Sequence, residues 1–171
     1  MSMNAEITNN NIEQFLAREG SLKRYFYAPC YGRRRGWASA FGFPDRTYHE
    51  EIYLDEDCGL VYMELSFDLA CPKEYRAVLS EYLTILNARF KTGDIRMDEN
   101  GHIYGHSAQY FKDAPISEGI IAEMERDLIA FGERFGSKLQ RVASGGEIPS
   151  KEEEVKEIIE QMMRPRLEHD S

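Results

Sequence analysis

The stretch from Leu83 to Gly105 constrains the fold more than any other part of this 171-residue chain. It carries, in order, a helix end through Leu86, Asn87 and Phe90, a glycine break at Gly93, and a short strand with Ile95 and Met97 on one face. A tight turn at Asp98–Gly101 and a return strand led by Ile103 follow. Glycine just past a helix supplies the left-handed conformation in which helices end. A polar turn closed by glycine between two short apolar runs spells a hairpin. A helix feeding straight into a hairpin, with a long helix behind it, is an α+β arrangement. The segment holds no catalytic constellation.

The helices are read from their period. Tyr75, Val78, Leu79, Tyr82, Leu83 and Leu86 follow the i, i+3, i+4 rule, and Pro72 stands where its missing N–H costs little, so a helix is expected from Pro72 to about Phe90. Ser117 is the expected N-cap of the long helix. Its stripe runs Ile120, Ile121, Met124, Leu128, Phe131, Phe135, Leu139, Val142, with Gly132 and Gly136 weakening the middle by about 1 kcal/mol each relative to alanine if exposed. A short first helix is expected to be capped by Asn9, Asn10 or Asn11, to carry Ile12, Phe15 and Leu16, and to stop at Gly20.

Between residues 24 and 67 tyrosine and phenylalanine are dense, and turns recur at Gly32–Gly36, Pro44–Asp45 and Asp55–Gly59. That spacing matches an antiparallel meander. In Leu60–Phe67 one face takes Val61, Met63, Leu65 and Phe67, the other Tyr62, Glu64 and Ser66. The same alternation turns Glu51 and Tyr53 outward opposite Ile52 and Leu54, and His102, Tyr104 and His106 outward opposite Ile103. The expected fold is α+β: a mainly antiparallel sheet of five or six strands, three helices on one face, and a C-terminal amphipathic helix. Residues 1–143 are expected to form one domain, 144–149 a linker, and 150–171 the terminal helix and tail. Ser150–Glu153 is a capping-box pattern, and Val155, Ile158, Ile159, Met162 and Met163 line one helical face before Pro165. A helix that short is marginal alone, so its apolar face must dock on its own domain or on another chain.

Composition narrows the function. With 42% hydrophobic residues the chain can build a core, and with 30 acidic against 21 basic residues it carries −9. That charge repels phosphate backbones, so no nucleic-acid partner is expected. The run Arg33–Arg35 beside Tyr31 and Trp37 reads as a charged hairpin loop that blunts a strand pair. No stretch reaches the ~20 apolar residues of a membrane span, and the first residues lack the basic and apolar regions of a signal peptide. Cys30, Cys58 and Cys71 are odd in number and outside any CxxC pair, which fits a reducing cytoplasm.

His102 and His106 are four apart, a metal-ligand spacing on a helix, but on a strand that step is ~13 Å, so no metal site is expected. The acidic turns at Asp55–Asp57 and Asp98–Asn100 lack calcium-loop spacing. There is no phosphate loop and no nucleophile elbow, and no basic neighbour marks a reactive cysteine. Neither an enzyme nor a cofactor is expected.

The order helix, meander, helix, hairpin, long helix, with Asn87, Phe90, Gly93, Asp98, Gly101 and the Ile116–Ser117 helix start, resembles the YbjN-like family of bacterial proteins, described as sensory-transduction regulators. The resemblance spans roughly residues 8–143. That family is similar in fold to the type III secretion chaperones, a twisted antiparallel sheet with helices packed on one side. The resemblance implies a non-enzymatic, cytoplasmic bacterial protein that dimerises or binds other polypeptides. From the residues, the expected binding surface is the outward sheet face. Tyr53, Tyr62 and Tyr104 would give anchoring area there, and Glu51 and Glu64 would select basic polypeptide partners. The rival expectation is a small-molecule sensor with a closed apolar pocket.

Overall fold

Val61, Met63 and Leu65 are fully buried while Tyr62, Glu64 and Ser66 between them stay partly exposed. This period of two gives the sheet its two sides. The computed structural model describes residues 2–19, 24–28, 34–43, 46–90, 92–150 and 152–153. Its elements are α1 (Met3–Glu19), β1 (Arg24–Ala28), β2 (Arg34–Phe43), β3 (Arg46–Asp55), β4 (Leu60–Ala70), a 3-10 turn (Lys73–Tyr75), α2 (Arg76–Asn87), β5 (Asp94–Met97), β6 (His102–Tyr110) and α3 (Glu118–Ala143). The strands form one sheet in the order β1-β2-β3-β4-β6-β5, every neighbour antiparallel. The helices share one face: α3 lies on β4 and β6, α1 packs on α3, and α2 packs on α3 and β5.

Helix α3 approaches the sheet closely because glycines permit it. A Cβ on Gly132 would stand 3.0 Å from the rings of Phe67 and Tyr48, and one on Gly105 would stand 3.0 Å from Leu128. Gly132 is therefore a close contact point, and both it and Gly136 are buried rather than weak spots on an exposed stretch. Phe131 is half-buried and stacks on Phe90 with ring centroids 4.1 Å apart, whereas Ile120, expected in the buried stripe, is exposed.

The first helix is longer than its sequence suggests. It starts at Met3, where Ser2 Oγ accepts a hydrogen bond from Ala5 N at 3.2 Å. The asparagines are not caps. Asn11 donates to Ile116 O at 2.8 Å, Thr8 Oγ1 accepts from Ile116 N at 3.0 Å, and Asn9 Oδ1 accepts from Arg35 at 3.0 Å. These polar side chains tie the middle of α1 to the segment before α3 and to β2. Gly20, the expected stop, lies outside the described residues.

Arg34 and Arg35 begin strand β2 rather than forming a loop. Arg34 Nε donates to Asp55 Oδ2 at 2.7 Å, and Asp55 Oδ1 accepts from Cys58 N at 2.9 Å. Burial opposes the Asp55 charge, but the Cys58 N–H and the Arg34 guanidinium outweigh it and hold the carboxyl below its usual range. Arg33 and Cys30 lie outside the described residues. Pro72 leads into the 3-10 turn, and α2 proper ends at Asn87 rather than near Phe90. Val78, expected in its buried stripe, is exposed.

Asn87 explains the junction that follows. Its side-chain amide donates to Ile95 O at 2.8 Å and accepts from Ile95 N at 2.9 Å, so it satisfies backbone groups of edge strand β5 and closes that point to another strand. Gly93 has φ +70°, and a Cβ there would stand 2.8 Å from His106 O. Asp98 organises the β5–β6 turn by accepting from Asn100 N and His102 N, both at 2.8 Å.

After α3 the chain reverses at Gly145 (φ +89°). Ile148 packs against the core, so the expected linker is in part a packed segment. The capping box at Ser150–Glu153 is formed: Ser150 N donates to Glu153 Oε2 at 2.8 Å and Glu153 N to Ser150 Oγ at 3.2 Å. The rest of the expected terminal helix lies outside the described residues. Among the described residues no helix is long and apolar enough to cross a membrane.

Candidate functional site

The sheet face turned away from the helices is built by register. Three rows cross it. In the first, Glu51 on β3 stands opposite Glu64 on β4, Glu64 opposite His106 on β6, and His106 opposite Asp94 on β5. The second runs His49, Ser66, Tyr104, Arg96, and the third pairs Tyr53 with Tyr62. All five residues expected at a binding surface, Glu51, Tyr53, Tyr62, Glu64 and Tyr104, thus share one face. Each is half-buried.

The aromatic part is pre-assembled. The Tyr53 and Tyr62 rings stack at 4.8 Å with an interplanar angle of 22°, and the Tyr53 hydroxyl donates to Glu51 Oε2 at 2.5 Å. A stack this close holds both rings in place before anything binds. Beside it, Ser66, Tyr104, His49 and His102 join Glu51 and Glu64 around a depression of ≈ 330 Å³.

The electrostatics are unsettled by design of the register. Glu51 and Glu64 are like charges directly across two strands, a destabilising placement. Burial, then the Glu51 charge, pushes the Glu64 carboxyl above its ordinary range, and Arg96 only partly offsets this. Burial, then the Glu64 carboxylate, pushes the Tyr104 hydroxyl up as well. Burial and Arg96 hold His106 below the usual imidazole range, against the pull of Asp94, whose Oδ1 is 3.3 Å from His106 Nδ1.

His102 and His106 point to the same side but have different partners, Asp98 at 3.1 Å and Asp94 at 3.3 Å. Among the described residues no three His, Cys, Asp or Glu side chains are grouped to hold a metal ion. Asp94 and Arg96, bonded to each other at 2.9 and 3.0 Å, also belong to this face. Their alternation with Ile95 and Met97 was the signal for them, although a four-residue strand shows it faintly.

No protein-family model matches the chain, and no curated protein matches it. Among solved structures, a chain of the ExsC–ExsE complex matches with a TM-score of 0.50 at 14% identity, over 88% of this chain and 99% of that one. The fold is type III secretion chaperone-like. A chain of the HopA1–SchA chaperone–effector complex aligns over 77% of this chain and 94% of its own at 12% identity, with a TM-score of 0.48, too low to carry an argument. At such identities the likeness speaks for the fold alone, and the α+β sheet with helices on one face is the arrangement it shares.

Proposed function

We propose that this chain is a non-enzymatic polypeptide-binding protein, chaperone-like or a regulatory adaptor, and that the open sheet face is its binding surface. The observation that carries the reading is that face itself: three cross-strand rows of tyrosines and carboxylates that no described helix covers. Tyr62 on its stacked Tyr53, and Tyr104 beside the depression, offer rigid aromatic area at low entropic cost. Glu51 and Glu64 repel each other until a cation comes between them, so a lysine or arginine of the partner is favoured there. The fold supports the reading, since the similar chain comes from a complex of two polypeptides.

The same reading includes self-association, a cytoplasmic location, kinship with the YbjN-like bacterial family, and a body of residues 1–143 with an appended terminal segment. It is tested by capturing the tagged protein's partners from host lysate, purifying what is captured, and rebinding it to the protein alone. A single polypeptide that rebinds in fixed stoichiometry supports the reading. Purified candidates that all fail to rebind would sink it.

A second reading, ligand sensing, rests on a cleft of ≈ 270 Å³ between α3 and the ends of β3 and β4, walled by Tyr48, Phe67, Leu69 and Gly132 with Asp68 and Gln140. It expects a metabolite screen to raise the melting temperature, which polypeptide binding on the opposite face does not require.

A further inference from the structure

Helix α2 leaves an apolar flank uncovered. Val78 and Ile85 are 41% and 36% exposed, seven residues apart and so on one side of the helix. That side is opposite Asn87, whose amide clamps β5 at the outer edge of the sheet. The flank therefore faces the groove between α2 and α3, where Phe131 is half-buried on Phe90 and the Arg134 guanidinium and Lys138 ammonium lie 5.2 and 6.0 Å from the centre of the Phe135 ring.

The chain enters this groove at one end. Gly145 turns it across the Tyr75 ring, where a Cβ would stand 2.8 Å away, at the start of α2. Pro149 is buried, the capping box opens a helix at Ser150, and Glu153 comes to 3.8 Å from Arg141 on α3. Residues 154–163 would extend ~15 Å as a helix against the ~18 Å of α2. Their apolar residues Val155 and Met162 are seven apart, the same step as Val78 to Ile85. Residues 150–163 hold five glutamates against two lysines, which complements the basic flank of Arg134, Lys138 and Arg141.

We infer that the segment 150–163 of the same chain docks in the α2–α3 groove, with Val155 at Val78 and Met162 at Ile85. This occupant is independent of the partner-binding face, which lies on the other side of the sheet.

The test is cysteine pairing in the full chain, with Cys30 and Cys58 replaced by serine and copper–phenanthroline as oxidant. Val78→Cys/Val155→Cys and Ile85→Cys/Met162→Cys should each form a disulfide within one chain, unchanged in yield across a wide range of protein concentration. The mismatched pair Val78→Cys/Met162→Cys should give little, and peptide mapping identifies each bridge. Disulfide-linked dimers, equal yield from the mismatched pair, or free thiols in both matched pairs while the melting transition stays intact would overturn the inference.

Discussion

The two faces of strand β4 obey different rules. On the helix side Val61, Met63 and Leu65 meet α3, which comes close because Gly105 and Gly132 lack side chains. On the open side Tyr62 and Glu64 stand in cross-strand rows, where Glu64 faces a like charge at Glu51. The covered face is closely packed and almost wholly apolar, with Glu50 the buried carboxylate on it. The open face keeps an electrostatic conflict that folding leaves unresolved and that an incoming cation would relieve. On the proposed reading, stability and recognition are separated by one step along a strand.

The comparison breaks first if the covered face proves tolerant. Leu128→Ala removes a fully buried side chain above Gly105 and should cost ~2–5 kcal/mol in denaturant unfolding. A loss below ~1 kcal/mol would mean α3 is not the principal cover of the sheet. Next in size is the edge. Asn87→Ala leaves Ile95 N and O without their clamp and should cost ~1–3 kcal/mol, with amide exchange accelerating in β5 before it does in β4.

The open face should respond least, and with the opposite sign. Glu64 has its folded-state pKa raised from an ordinary value near 4.5, so the stability it confers is complete below that value and is lost as pH rises through the higher folded one. Glu64→Gln should flatten this decline and leave the protein slightly more stable at neutral pH, by ~0.2–1 kcal/mol. Asp55 is the internal contrast. Its lowered pKa means its contribution is present above about pH 4 and is lost as pH falls through the folded value. Asp55→Asn should therefore reduce the steepness of acid unfolding, measured by circular dichroism across a pH series.

Much of this fold can be read in the residues because period and punctuation are local. The alternation in β4, the hairpin at Asp98–Gly101 and the helix-to-strand break at Gly93 all follow from neighbouring positions. What escapes such a reading is set by partners distant in sequence. The Asn9–Asn11 run looks like a cap because short polar side chains favour caps, yet Asn9 and Asn11 meet Arg35 and the backbone of Ile116. Gly132 looks like a flaw until Tyr48 and Phe67 are placed against it. At the candidate site, alternation places Glu51, Tyr53, Tyr62, Glu64 and Tyr104 on one side. Register alone decides that Glu51 confronts Glu64 and that Asp94 and Arg96 complete the rows.

The most direct test of the division between the faces is a titration of the purified polypeptide partner against wild-type protein and the Tyr62→Asp/Tyr104→Asp variant. Our account predicts binding weakened by ~10-fold or more, in a variant that loses some stability with the Tyr53–Tyr62 stack but still unfolds in one cooperative transition. Equal affinity in a folded variant would contradict it and move recognition off the open face.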